Sequence, residues 1–240
     1  EIVRFTENKT ALFLQNLLKE ADRQNQSLLR DHDSFEVETI LGFKPEWGLG
    51  SSSSLISNMA EWFGIDPYML FKNTQHGSGY DIACAKANGP IRYRLMLGSP
   101  VLEKINFDPP FKDKLAFVYS GQKQSSADSV QKYLKSKLVA DDAKTRISQI
   151  GRDISSSKNL SKFNSLLDEH EEIMAGILGM PKIKEEQFPD FPGSIKSLGA
   201  WGGDFLLASS EIGFSEITSY FNKKGLDTIF SFDTLVLDTR

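Results

Sequence analysis

Leu12, Phe13, Leu17 and Leu18 recur at helical spacing with charged residues between them, and Thr6 stands ahead as a cap, so the chain opens on an amphipathic helix. Phe35, Val37, Thr39 and Leu41 then alternate with Glu36, Glu38 and Ile40, the period of a strand with one buried face that ends at Gly42. Leu55, Ile56, Met59, Trp62 and Phe63 return to helical spacing and stop at Gly64. Asp66 followed by Pro67 is a helix start, one residue to accept from free amides and one that needs no donor; this helix reaches Asn73 or beyond. Residues 82–87 permit a short helix, 91–97 alternate like a strand, and 115–119 form a compact apolar run that reads as a buried strand. Three helical stretches follow at 126–138, 143–154 and 160–178. An irregular segment with Pro181, Pro189 and Pro192 leads to a strand-like run at 205–208, a helix at 214–221 and two strand-like runs around Ile229 and Leu235. No internal repeat is evident, and strands and helices mix without regular alternation, which is an α+β pattern.

Composition narrows the classes. The 240 residues suffice for one large domain or two closely packed ones, and no apolar stretch approaches the ~20 residues of a membrane-spanning helix. A single cysteine, Cys84, forms no internal disulfide, and without a histidine cluster it builds no zinc site; a soluble protein of a reducing compartment, the cytoplasm, is expected. The net charge of −4 and the lack of a dense Lys/Arg run argue against nucleic acid as partner and leave a small-molecule substrate, with no membrane partner and an oligomeric state that the sequence leaves open. The chain opens on Glu1 rather than methionine and almost directly into helical pattern, so a preceding segment is expected.

Chemistry concentrates in three loops. Gly48-Leu49-Gly50-Ser51-Ser52-Ser53-Ser54 runs straight into a helix. Glycines there allow close approach, first-turn amides and the helix dipole favour an anion, and serine hydroxyls can donate to phosphate or coordinate Mg²⁺. A Ser-rich linker or a simply capped helix would have the same composition, and no lysine follows as a Walker A loop requires. Gly77-Ser78-Gly79-Tyr80-Asp81 sets a carboxylate at a helix start, where it can be either a capping residue or an acceptor of a substrate proton. Gly199-Ala200-Trp201-Gly202-Gly203-Asp204 is a glycine-rich turn ahead of a strand. Lys123 is either a substrate contact or a solvated loop lysine, and Arg92 and Arg94 either an anion contact or surface ion-pair partners.

Together these loops resemble the signatures of the galactokinase, homoserine kinase, mevalonate kinase and phosphomevalonate kinase (GHMP kinase) superfamily, in the family's order from about Pro45 to Ala208. Pro45-Glu46-Trp47-Gly48-Leu49-Gly50-Ser51-Ser52-Ser53 resembles Pro-x-x-x-Gly-Leu-Gly-Ser-Ser-Ala, with one residue fewer after the proline and serine for alanine. Gly77-Ser78-Gly79-Tyr80-Asp81-Ile82-Ala83 is similar to the Gly-Ser-Gly-Phe-Asp-Val of phosphomevalonate kinases, and 199–204 to Gly-Ala-Gly-Gly-Gly-Asp, with Trp201 for a glycine. A weaker likeness covers 119–126, where these kinases often read Gly-x-x-x-Ser-Thr.

The resemblance implies two merged lobes, a ribosomal-protein-S5-like N-terminal half and a ferredoxin-like C-terminal half. The first covers 1–110 and lacks its first strands; the second covers 111–240. It further implies an ATP-dependent small-molecule kinase with Mg²⁺, Asp81 as the catalytic carboxylate and Ser52 as a magnesium contact. Gly48, Leu49, Gly50, Ser51, Ser52, Ser53, Gly199, Ala200, Gly202 and Gly203 would lie around the nucleotide phosphates. Mevalonate or phosphomevalonate is the expected acceptor. Another small alcohol, such as a sugar or homoserine, and a nucleotide-binding regulatory protein without turnover are the alternatives. The first family signature has no counterpart, and Leu70 stands where mevalonate kinases carry a magnesium-binding glutamate.

Overall fold

The computed structural model describes residues 8–30, 34–121, 141–199 and 203–237. The chain divides into two compact units, the first made of Glu1–Pro45, Leu49–Ala87 and Ile91–Glu103, the second of Glu46–Gly48, Asn88–Pro90 and Lys104–Arg240.

The first unit is built on helices. Helix α1 (Lys9–Gln24) is capped by Asn8, whose side chain accepts from the Ala11 amide at 2.8 Å. After a four-residue helix, α2 (Ser27–Arg30), and a short 3₁₀ turn at Pro45–Trp47, helix α3 spans Ser51–Phe63. Its Ile56, Met59, Ala60 and Phe63, at i, i+3, i+4 and i+7, are all buried. Gly64 ends it in the left-handed conformation, its N–H returning to Ala60 and Glu61. Helix α4 (Pro67–Thr74) starts as its sequence dictates, with Asp66 accepting from the Tyr68 amide at 2.8 Å and Pro67 in the first turn. Helix α5 (Tyr80–Lys86) buries Ile82 and Ala83. The core joins Leu17 and Ala21 of α1 with the α3 stripe, Leu70 of α4 and Ile82 of α5. Strands β1 (Ile91–Met96) and β2 (Ser99–Lys104) form a two-stranded sheet in which Arg92 pairs with Glu103 at 3.1 Å, the ion-pair alternative for that arginine.

Two expectations fail here. The alternating segment 35–41 forms no strand, and most of its side chains are exposed, because no strand among the described residues offers it a ladder. Period-two patterning states a preference for pairing; the hydrogen bonds need a partner. Near Leu235 the second terminal strand is instead a short helix, as given below.

The second unit is a four-stranded antiparallel sheet in the order β4-β5-β3-β6. Its strands are β3 (Leu115–Tyr119), β4 (Ser194–Ser197), β5 (Phe205–Ser209) and β6 (Ile229–Ser231). Helices α6 (Asp141–Ser156), α7 (Leu160–Leu178), α8 (Ile183–Gln187), α9 (Phe214–Lys223) and α10 (Phe232–Leu235) complete it. The apolar run at 115–119 is continuous because both faces of the sheet are covered. Ala116 and Val118 pack with Ile195, Leu206, Ala208, Ile217 and Phe221 on one side. Leu115 and Phe117 pack with Phe163, Leu167 and Phe232 on the other. Strand β4 arises inside the segment expected to be irregular: Pro192 ends just before it, and Ser194 pairs with Ser209 and Ser197 with Leu206. The expected helix at 126–138 and Lys123 lie outside the described residues.

Candidate active site

Helix α3 begins on Gly50, left-handed at φ 87°, with no side chain capping its first turn and no acidic residue in that turn. Its first intrahelical bond is Ser54 N–H to Gly50 O at 2.9 Å, so the amides of Ser51, Ser52 and Ser53 precede the ladder. Free amides, the positive helix end and a glycine in front are groups from which a cradle for an anion such as phosphate can be built. Ser52 is exposed, so its hydroxyl can reach a ligand. Ser53 turns its side chain into the buried face, leaving its backbone N–H as its only contribution to the cradle.

The boundary between the two units runs through this loop, after Gly48. Ahead of it the chain is fastened to the second unit. Trp47 lies edge-on to Phe230, ring centres 5.2 Å apart, and to Phe205 at 6.5 Å, while the Tyr119 hydroxyl donates to the Glu46 carbonyl at 3.2 Å. Gly48 has φ 67°, and a Cβ built on it would collide with the Asp204 carboxylate. Two loops more than 150 positions apart in the sequence thus meet where only a glycine fits.

The glycine-rich third loop is the hairpin connection between β4 and β5. Leu198 N–H donates to Phe205 O at 2.9 Å below it, and Gly199, at φ 67°, turns the chain out. On the return, Ser120 donates its hydroxyl to Gly203 O at 2.9 Å and its amide to Asp204 O at 2.8 Å. Ala200, Trp201 and Gly202 lie outside the described residues.

Asp81 sits in the first turn of α5, behind Gly79, left-handed at φ 78°. The turn is held by the Tyr93 hydroxyl, which donates to the Ser78 carbonyl, and Gly79 lies against the ring of Tyr68. Burial pushes the Asp81 carboxyl above its ordinary range, and a hydrogen bond from the Tyr80 hydroxyl offsets part of this. The thiol of Cys84, one turn along, is also raised, by burial first and by the Asp81 charge second. Asp81 is therefore a better proton acceptor than a solvated aspartate, which suits it to take a proton from a hydroxyl. Leu70 is wholly buried in the apolar core of its unit, so no ligand group stands there. Among the described residues no cluster of three or more His, Cys, Asp or Glu side chains could hold a metal by itself. The exposed Ser52 hydroxyl is a neutral oxygen that could join the phosphates of a nucleotide around an ion such as Mg²⁺, which keeps several waters.

The sequence reading missed a polar group in the second unit. The Lys196 ammonium on β4 contacts His170 Nδ1 at 3.1 Å, Glu171 Oε1 at 3.2 Å and the Ser197 carbonyl at 3.2 Å. Burial, then the nearby Lys196 charge, depresses His170 to about 4. In the unfolded chain a histidine takes up its proton near 6.5, so between those values the native state binds fewer protons and stability falls as pH falls. The expected loss from pH 7 to pH 4 is about 2 kcal/mol, below the full linkage value because the ring is partly exposed to screening water. Urea midpoints of the parent and of His170→Gln across this range check it, the variant showing the shallower dependence.

One unit built on a four-stranded antiparallel sheet with helices on both faces and one built on helices make up an α+β fold that the chain shares with solved mevalonate kinases. Two of the solved structures that share it are mevalonate kinases. The Methanococcus jannaschii mevalonate kinase aligns over 91% of this chain and 73% of its own, with 18% identity and a TM-score of 0.59. The L. major mevalonate kinase in complex with R-mevalonate aligns over 94% and 78%, with 16% identity and a TM-score of 0.57. A Lin0012 protein from Listeria innocua aligns over 95% and 79%, with 16% identity and a TM-score of 0.60. At these identities the likeness is one of fold. No family model and no curated protein matches the sequence. No described helix is long and apolar enough to cross a membrane.

Proposed function

We propose that this chain is an ATP-dependent small-molecule kinase that moves the γ-phosphoryl group of ATP to an oxygen of a small acceptor, with mevalonate or phosphomevalonate as the acceptor. The observation that carries the reading is the uncapped start of α3 at left-handed Gly50, with the Ser51, Ser52 and Ser53 amides ahead of the ladder, in a chain with the mevalonate kinase fold. Those amides bind and orient the phosphates. The Ser52 hydroxyl offers a neutral oxygen to the Mg²⁺ that a nucleotide brings, and the ion supplies charge neutralisation when bound. Asp81 orients the acceptor hydroxyl and takes its proton on the carboxylate. Transfer of this kind asks mainly for positioning and charge stabilisation, which backbone amides and one carboxylate can provide.

The test is ATP consumption by the full 240-residue chain against a panel of mevalonate, phosphomevalonate, homoserine and sugars. Turnover with one of the first two is expected, and turnover with a sugar or homoserine alone would move the acceptor assignment. Fully buried Leu70, which puts an apolar side chain where a metal ligand stands in mevalonate kinases, favours a second reading as a nucleotide-binding protein without turnover. ATP binding with no consumption across the panel would decide for it.

The metal role of Ser52 has its own expected result. Ser52→Ala raises the Mg²⁺ concentration for half-maximal turnover roughly fivefold, the loss of about one hydrogen-bond-sized contribution, and changes the affinity for metal-free ATP less. Superimposed titrations of variant and parent would leave Ser52 as a helix-start residue only.

A further inference from the structure

The interface between α7 and the β4–β5 hairpin contains a line of polar contacts inside an otherwise apolar layer. At one end Asn164 accepts from Ser209 Oγ through its side chain at 2.6 Å and from Ser194 Oγ through its backbone carbonyl at 3.3 Å. Two residues along β4, on the same face, Lys196 meets His170 and Glu171, one turn and more further along the helix. The spacing is consistent: 164 and 171 are two helical turns apart, and 194 and 196 share a strand face.

The second end is costly to hold. Glu171 is 2% exposed, and its Oε2 is a buried atom without a hydrogen-bond partner. Burial lowers the Lys196 pKa, and Glu171 opposes that shift only in part. Glu171 Oε1 and the Ser197 carbonyl accept from the Lys196 nitrogen, and against a charged ammonium the facing His170 Nδ1 can act only as an acceptor. Apolar side chains in these places would be as stable or more so, and a buried ion pair half satisfied in this way is weak evidence for stability. What such a pair can provide is register, since leucine and phenylalanine contacts tolerate sliding of a helix along a strand better than a bonded charge pair does.

We propose that Lys196 is a positioning residue: tied to Glu171 and His170 of α7 and to the Ser197 carbonyl, it fixes the end of β4 and with it the two feet of the glycine-rich 199–204 loop. Ser197, whose carbonyl the ammonium holds, pairs with Leu206, and the next rung is the Leu198 to Phe205 bond from which the loop departs. A shift of β4 against α7 would move Gly199 away from Gly203 and Asp204, and Asp204 is the residue whose carboxylate stands against Gly48. The inference deepens the kinase reading in so far as the loop serves a nucleotide.

The experiment replaces the pair without leaving a lone charge, in Lys196→Met/Glu171→Leu, and reads two quantities that do not depend on turnover: amide exchange at Leu198, Gly199 and Asp204, and the Kd for ATP. With the melting temperature at or above that of the parent, exchange at these amides is expected to quicken at least tenfold and the Kd to rise about tenfold. Lys196→Arg, which keeps the ion pair, is expected to stay within threefold of the parent in both. Parent-like exchange and Kd in the stable double variant would overturn the proposal and make the seam packing alone. If exchange quickens but the parent itself binds no ATP, the positioning role stands and the kinase reading falls. Should the double variant not fold, Glu171→Gln gives the same two readouts with the shape kept, and unchanged exchange there would overturn the proposal equally.

Discussion

Asp81→Asn is expected to lower kcat by about 10²–10⁴-fold while ATP affinity stays within about twofold, the range that a positioned proton acceptor contributes. The amide keeps the size and place of the carboxylate at the start of α5, so Ile82 and Ala83 still anchor the helix and the fold is unaffected. What it loses is a site for the acceptor's proton. The pH profile supplies the second check. In the proposed mechanism Asp81 works ionised, so the rate is expected to fall as pH drops through its pKa, and burial places that acid limb above the ordinary carboxylate range. Tyr80 pulls in the opposite direction through its hydrogen bond, so Tyr80→Phe moves the limb further up. An Asp81→Asn variant with parental kcat, or a Tyr80→Phe limb that moves down, would take Asp81 out of the chemistry.

Two glycines of the first loop separate backbone strain from crowding. Both have positive φ, 67° at Gly48 and 87° at Gly50, so alanine at either is disfavoured by about 1–2 kcal/mol. A Cβ on Gly50 meets nothing within 4 Å, whereas one on Gly48 runs into the Asp204 carboxylate. Gly48→Ala therefore carries an overpacking cost on top, and its total destabilisation is expected at about 2–5 kcal/mol against ~1–2 for Gly50→Ala. Urea unfolding of the two variants measures the difference. The ATP effect runs the other way: Gly50 precedes the anion cradle directly, so Gly50→Val blocks ligand approach with little loss of stability beyond the strain. Equal unfolding midpoints for Gly48→Ala and Gly50→Ala would remove the Asp204 contact from the account of this loop.

Much of the helical framework was readable along the chain, because a helix satisfies its own backbone and announces its buried face locally. The stripe Ile56, Met59, Phe63, the Asp66-Pro67 start and the long run at 160–178 each needed only their own neighbours, and each stands where its pattern put it. The start of α3 was equally local, since the glycine that begins it and the serines that follow are adjacent in sequence. Strands are decided elsewhere. The alternation at 35–41 forms no strand among the described residues, while Ser194–Ser197, polar and behind prolines, is a sheet strand because Leu206 to Ser209 stands beside it. The seat of Trp47 on Phe230, the Asp204 carboxylate over Gly48 and the Lys196 to Glu171 pair had no signal in the sequence, for each joins residues brought together only when the sheet closes. Local sequence thus determined the longer helices and the glycine-led start of α3. Long-range packing decided which strands exist and what holds the loops in place, because a hydrogen-bond ladder or a buried charge pair has no meaning until its partner arrives.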